Sequence, residues 1–199
     1  MTTTLALLRH GETPWSQVKR LQGRTDIGLS EAGADLLAAH MLPREFSALQ
    51  VCTSPLARCT QTAAQLRLAT PVIEPRLIEM GWGQWEGRTL LDLRSELGPE
   101  MAENEARGWD FMAPGGESPR LVWQRVRPWL AELAARRLST LAVTHRGVIR
   151  VIFAQATGWD MLGKPPAKLD WNAMQLFTLD EQGLPAVQRL NLPLTGRQS

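Results

Sequence analysis

Two arginines, two histidines and a carboxylate of this sequence have side chains whose chemistry fits together, although they lie far apart along the chain. Arg9 and His10 open the segment Arg9-His10-Gly11-Glu12-Thr13, Arg58 follows Ser54, Glu79 stands apart, and His145 opens His145-Arg146-Gly147. Guanidinium forks hold phosphate oxygens through two-point contacts and neutralise their charge. A neutral imidazole is a good nucleophile toward phosphorus and can form a covalent intermediate. A carboxyl kept partly protonated by burial and nearby charge can protonate a leaving oxygen. The second histidine would add a cationic donor to the transferring group. These residue types suit phosphoryl transfer with His10 as the nucleophile. No metal site suggests itself: the chain has three histidines and lacks HxH, HExxH and an Asp cluster. It also lacks a Gly-rich nucleotide loop, so no cofactor is called for.

These residues need elements to bring them together. The apolar run Thr3–Leu8 reads as a buried strand ending at Arg9. Ser30–Met41 has helical spacing, with Ser30 as N-cap. Ala48–Thr53 reads as a second strand, followed by a helix opened by Ser54-Pro55 and running to about Leu66. Pro71–Glu74 reads as a short third strand and Leu141–Thr144 as a fourth, with a helix after it from about Val148 to Ala156. Ser118–Leu138 is the longest helical pattern, which Pro128 should kink or split. Asn172–Leu179 and Ala186–Leu190 read as a closing pair of strands around Gly183. The alternation predicts an α/β class, a three-layer α/β/α fold with a mostly parallel central sheet. The whole of 1–199 reads as one domain. Residues from about 80 to 117, rich in Gly, Trp and acidic residues, read as a lid insertion with short helices at Leu90–Leu97 and Pro99–Arg107. Ligand crevices of open α/β sheets lie outside the carboxyl ends of the strands. Arg9, His10, Arg58, Glu79 and His145 all follow strands, so they are predicted to share one crevice.

Bulk properties narrow the partners. Hydrophobic content of 44% and charged content of 21% are ordinary for a globular chain. The net charge is +2 and the basic residues are scattered, which argues against nucleic acid. No apolar stretch is long enough to span a bilayer, and the N-terminus lacks the basic start of a signal peptide. With only Cys52 and Cys59, reduced thiols in a cytoplasm are expected. The partner expected is a small phosphorylated metabolite; the oligomeric state stays open, with a homodimer as one option.

Several blocks carry a family resemblance. Leu8-Arg9-His10-Gly11-Glu12-Thr13 resembles the RHG signature of the histidine phosphatase superfamily, in the branch shared with phosphoglycerate mutases. Leu21–Asp26 through Leu29–Gly33, Thr53–Ala63, Leu77–Met80 with Gly83–Gly87, Pro114–Ser118 and Val143–Arg150 match its further motifs in order. The resemblance implies that His10 becomes phosphohistidine and that Arg9, Arg58 and His145 bind the phosphoryl oxygens. It implies that Glu79 protonates the leaving alcohol and then deprotonates the attacking water. Thr13 and Gln22 look like secondary phosphate contacts. The implied activity is a phosphomonoesterase, similar in pattern to small bacterial phosphatases such as α-ribazole phosphatase. A mutase-type phosphotransferase is the nearest rival, and a non-catalytic module that binds phosphorylated ligands is a further one.

Two positions depart from the family pattern. Ser16 replaces a common Asn after Trp15, which shortens the reach of that phosphate contact. Arg146 replaces the usual Gly after the second histidine. Either its side chain turns to solvent, or it adds a cation at the mouth of the site and favours substrates with a second anion. Plainer readings apply elsewhere. Glu12, Glu74 and Glu86 are alternative acids. His40 would cap a helix dipole or be solvated. Trp82, Trp85 and Trp109 would pack rather than line a pocket. Cys59 should face a different side of its helix from Arg58.

Overall fold

The computed structural model describes residues 2–197. Its frame is a six-stranded sheet with the order β4-β3-β5-β1-β6-β7. The strands are β1 (Thr3–Arg9), β3 (Gln50–Thr53), β4 (Val72–Ile73), β5 (Thr140–Thr144), β6 (Met174–Leu179) and β7 (Pro185–Leu192). Strands β1, β3, β4 and β5 run parallel, whereas β6 and β7 form the expected antiparallel closing pair. A second, two-stranded sheet joins β2 (His40–Met41) to β8 (Thr195–Gly196).

The inner parallel strands β1 and β5 are covered on both faces, which explains their continuous apolar runs, whereas the edge strand β4 leaves Val72 and Ile73 exposed. Leu5 and Leu7 face a core built with α6 (Pro119–Ala135) and α7 (Arg146–Thr157). Ala6 and Leu8 face the other way, toward Leu37 of α2 (Glu31–Ala38) and Leu66 just after α3 (Ala57–Gln65). This alternation along one strand makes the three α/β/α layers. Ser30 caps α2 through its hydroxyl, as read from the sequence, and the Ser118 hydroxyl caps α6. A single turn, α1 (Pro14–Gln17), follows β1.

Some expectations need correction. Helix α6 runs unbroken through Pro128. The carbonyl that this proline leaves unpaired belongs to Gln124, on the exposed side, where water can satisfy it. Buried Val126, Trp129 and Leu130 hold the flanking turns on the core. Ser54 and Pro55 precede α3 instead of opening it: the Ser54 amide donates to Val143 O at 3.0 Å, extending the strand ladder by a residue. Met41 leaves the helical pattern for β2. His40 meets its expected partner, with its Nδ1 2.7 Å from the Leu36 carbonyl in the last turn of α2.

Between β4 and α6 the chain forms α4 (Leu90–Leu97) and α5 (Pro99–Glu105) around a small core of Trp85, Leu93, Met101 and Ala113. Trp82 and Trp85 pack on Phe111 at 5.8 and 6.0 Å between ring centroids. The indole of Trp109 donates to Trp159 O at 3.2 Å. All three tryptophans therefore pack. No helix among the described residues is long and apolar enough to cross a membrane.

Candidate active site

Parallel pairing of β1 with β5 sets the geometry. Arg9 is opposite Thr144, so His10 and His145 leave adjacent strand ends together. The His10 amide donates to Thr144 O at 2.9 Å, and the two imidazole centroids are 5.2 Å apart. On the other side of β5, the end of β3 brings in Ser54, and α3 brings in Arg58 from its first turn. Glu79 arrives from the loop after β4. Its carboxylate accepts from the Gly147 amide at the start of α7, at 3.1 Å to Oε1, and from the Met80 amide at 2.8 Å. A Cβ at position 147 would press on Glu79 Oε1, so glycine lets the carboxyl sit on this amide. The crevice read from the strand ends therefore forms: Arg9, His10, Arg58, Glu79 and His145 meet there.

Hydrogen bonds fix the state of each ring. A carbonyl can only accept, so His10 Nδ1, 2.7 Å from Gly11 O, carries the proton and leaves the Nε2 lone pair free. Burial, with the charges of Arg9 and Arg58, holds His10 well below its ordinary pKa of 6.5, so the ring is neutral. Arg58 Nε donates to His145 Nδ1 at 3.3 Å, which places the other proton of that pair on His145 Nε2, 2.7 Å from Ser54 Oγ. Burial, and after it the charge of Arg58, keep this ring neutral too. His145 therefore differs from the cationic donor expected of it: it is an uncharged ring with both nitrogens engaged by the protein.

Arg58 is fully buried yet forms no ion pair among the described residues. Its terminal nitrogens donate to Thr25 O at 3.0 Å and Gly23 O at 2.8 Å. Gly23 adopts φ +50, and a Cβ there would collide with Glu86, so this carbonyl cradle needs glycine. Arg9 Nε and Gln22 Oε1 are buried without a protein partner. Gln22 also donates to the Thr13 hydroxyl in a short contact. Ser16 is turned inward: its hydroxyl accepts from the Thr13 amide at 2.9 Å and donates to Thr13 O at 3.0 Å, closing a capping box. Arg146 is exposed, its guanidinium carbon 4.9 Å from the centre of the Trp171 ring.

Among the acid candidates, environment singles out Glu79. Burial raises its pKa above the ordinary 4.5, although two backbone amides and Arg58 oppose the rise. Glu86 is committed to the amides of Arg24 and Thr25, at 2.8 Å each, and its pKa is lowered despite its burial, first by the Thr25 hydroxyl. Glu74 is paired with Arg76, which lowers its pKa despite some burial. Glu12 is exposed and bonded to Gln17.

Sequence reasoning missed two contributors. Cys59, expected on a different helix side from Arg58, lies with its sulfur 3.4 Å from His145 Nε2, because the first turn of α3 is wedged against β5. Burial pushes its thiol pKa up, so it is an uncharged wall of the crevice. Arg125 donates to Glu117 through Nε at 2.8 Å and to Ile78 O, the carbonyl before Glu79, at 2.7 Å. The buried Glu117 within Pro114–Ser118 was the available signal for that clamp.

Known proteins resemble this chain in sequence and fold. A bifunctional protein of Mycobacterium tuberculosis is 37% identical over 165 residues, which is 80% of this chain and 43% of that protein; the chain thus spans under half of that relative. Glucosyl-3-phosphoglycerate phosphatase of Mycolicibacterium vanbaalenii is 32% identical over 180 residues, 80% of this chain and 78% of that protein. The α-ribazole phosphatase of Shigella flexneri superposes with a TM-score of 0.75 at 24% identity, over 99% of this chain and all of that one, a likeness of fold. The family model "Histidine phosphatase superfamily (branch 1)" matches residues 5–193, and the chain belongs to that superfamily.

Proposed function

We propose that the protein hydrolyses a small phosphomonoester in two steps through a phosphohistidine on His10. The observation that carries this reading is the state of His10: a neutral ring, with Nδ1–H held by Gly11 O and Nε2 free, beside Arg9 and Arg58. In the first step Nε2 attacks phosphorus, the ester P–O bond breaks, and the protonated Glu79 gives its proton to the leaving oxygen. In the second step Glu79, now a carboxylate, takes a proton from water, whose oxygen displaces Nε2 and releases phosphate. Arg9 and Arg58 stabilise the charge on the three phosphoryl oxygens through both steps. His145 holds Arg58 in place, and Thr13 with Gln22 contributes polar groups at the edge of the crevice.

The relatives support hydrolysis of a phosphorylated metabolite, since one is a glucosyl-3-phosphoglycerate phosphatase. The reading further takes 1–199 as one domain with residues 80–117 as a lid over the crevice, supported by the separate small core of that segment. It places the protein in a cytoplasm, which suits two free, buried cysteines.

The test is phosphate release from α-ribazole phosphate, sugar phosphates and phosphoglycerates by wild-type and His10→Ala protein. Wild-type turnover is expected, with a phosphoryl adduct on the His10 peptide by mass spectrometry. His10→Ala should lose about 10⁴-fold or more in kcat, as removal of a nucleophile does elsewhere. Undiminished activity in that variant would remove the reading. Rapid interconversion of 3- and 2-phosphoglycerate with negligible phosphate release would reassign the protein as a mutase.

A further inference from the structure

Two cations next to the crevice take no part in the chemistry above. Arg146 and Arg150 lie four residues apart in α7, so they share one helix face about 6 Å apart along the axis. Each is seated on a tryptophan: the Arg146 guanidinium carbon is 4.9 Å from the Trp171 ring centre, and that of Arg150 is 5.2 Å from Trp159. Neither forms an ion pair among the described residues, whereas Arg24, Arg76, Arg88, Arg94, Arg120 and Arg125 all do. Like charges one turn apart repel, and the carboxyl that acts on Arg146, Glu79, makes no ion pair with it.

The manner of seating matters. A ring under the flat face of a guanidinium holds it still and leaves the in-plane N–H donors free. Such a fork is prepared for a planar two-point contact with a carboxylate or a phosphate. The pair is also continuous with the reaction centre. Arg146 directly follows His145, and its charge is felt at Arg9, whose protonated form is disfavoured first by burial and then by Arg146. A cleft of about 770 Å³ lined by Arg24, Glu86, Glu117 and Arg125 offers no equivalent. Its arginines, Arg24 and Arg125, both face Glu117, and Glu86 lies beside them.

Resting on the phosphatase reading, we propose that Arg146 and Arg150 form a docking shelf for a second anionic group, so that the substrate is a phosphomonoester carrying a carboxylate or a further phosphate close to the ester. Trp171 and Trp159 keep the two forks in position. The shelf acts through substrate binding and orientation, not through proton transfer.

Three probes differ in little but the second group: glycerol 3-phosphate has none, 3-phosphoglycerate has a carboxylate, and glycerol 1,3-bisphosphate has a phosphate. For wild-type protein, kcat/KM for phosphate release should be about tenfold or more higher with at least one doubly anionic probe than with glycerol 3-phosphate, the scale of one charged hydrogen bond. Which of the two is preferred identifies the group. In Arg146→Gln and Arg150→Gln that ratio should fall severalfold, and in the double variant it should approach one. Arg146→Lys, which keeps the charge without the planar fork, should retain part of it. Equal wild-type rates on the three probes would overturn the shelf, and so would variants that lose all three in equal proportion. Wild-type comparison needs no variant to fold. Turnover of p-nitrophenyl phosphate in the same assay separates the two claims. If that probe is not hydrolysed, the phosphatase reading fails. If it is hydrolysed without a preference for second anions, only the shelf fails.

Discussion

The arginines of the crevice and those of the outer shell are the same residue put to opposite uses. In the shell, Arg76 bridges Glu74 and Glu132 through bonds of 2.7 and 2.8 Å, Arg94 meets Glu105, Arg120 meets Asp110, and Arg125 meets Glu117. In the crevice, Arg58 is tied only to two carbonyls and a neutral imidazole, and Arg9 Nε has no protein partner. The nearby carboxyl, Glu79, is pushed toward its protonated form. Shell charges cancel inside the protein and fasten loops. Crevice charges do not cancel, and a buried charge without a counter-ion is costly. A phosphoryl group entering between them would relieve that cost, and more so as its charge spreads in the transition state. An uncompensated buried arginine thus marks the binding region more sharply than arginine content does.

The strongest way to break this contrast is to remove the crevice charge. Arg58→Gln should lower kcat/KM by about 10²–10³-fold, as loss of a transition-state donor does. Inorganic phosphate should raise the melting temperature of the wild-type protein and do so far less in Arg58→Gln, because ligand stabilisation follows affinity. An equal phosphate-induced shift in both proteins would show that Arg58 is no more an anion holder than the shell arginines are.

Next comes Glu79, through pH. The reaction needs Glu79 protonated and His10 neutral. Raised above 4.5, Glu79 keeps its proton further up the pH scale, and kcat for alkyl phosphates should fall as pH rises through its pKa. His10, held well below 6.5, stays neutral on the acid side, so no loss should set in near the ordinary histidine value. Glu79→Gln should cost about 10²–10⁴-fold on alkyl phosphates and abolish the alkaline limb. The cost should be much smaller with p-nitrophenyl phosphate, whose leaving group needs little protonation. An alkaline limb that survives unchanged in Glu79→Gln would move the acid role elsewhere.

The same contrast explains what was legible in the sequence. Strand ends were readable because a buried parallel strand is an apolar run, and Arg9, His10 and His145 are the polar residues at which two such runs stop. Pairing states were not readable. Glu12, Glu74, Glu79 and Glu86 are equivalent as letters, and only burial and hydrogen bonds separate a protonated acid from a loop clamp. The contact of Cys59 with His145 was not readable, because helix phase says which way a side chain points, not what packs there; β5 closes over that first turn. That Pro128 would not split its helix was not readable, because its cost depends on whether the Gln124 carbonyl is wet. The β2–β8 pairing joins His40 to Gly196, a contact between distant segments with no local pattern.

A shell pair close to the crevice should show intermediate behaviour. Glu117 and Arg125 are largely buried, with side-chain exposures of 11% and 18%. Glu117→Gln leaves Arg125 short of its counter-ion and should cost about 3–5 kcal/mol in a denaturant melt, the usual penalty for breaking a buried pair. Because Arg125 also holds Ile78 O beside Glu79, the alkaline limb should move as well. A stability loss with an unmoved pH profile would confine this clamp to the fold.

The smallest effect belongs to Arg94 and Glu105, which join α4 to α5 near the surface with side-chain exposures of 56% and 35%. Solvent screens such a pair, and ordering two long side chains offsets much of its attraction. A double-mutant cycle of Arg94→Ala with Glu105→Ala should give a coupling of about 0.2–1 kcal/mol, reduced further at high salt. Phosphate release should be unchanged in both single variants, since this pair is already neutral and touches nothing in the crevice. A kinetic change comparable with that of Glu117→Gln would mean that α4 and α5 communicate with Glu79, and the division between cancelled and uncancelled charge would no longer follow the boundary of the crevice.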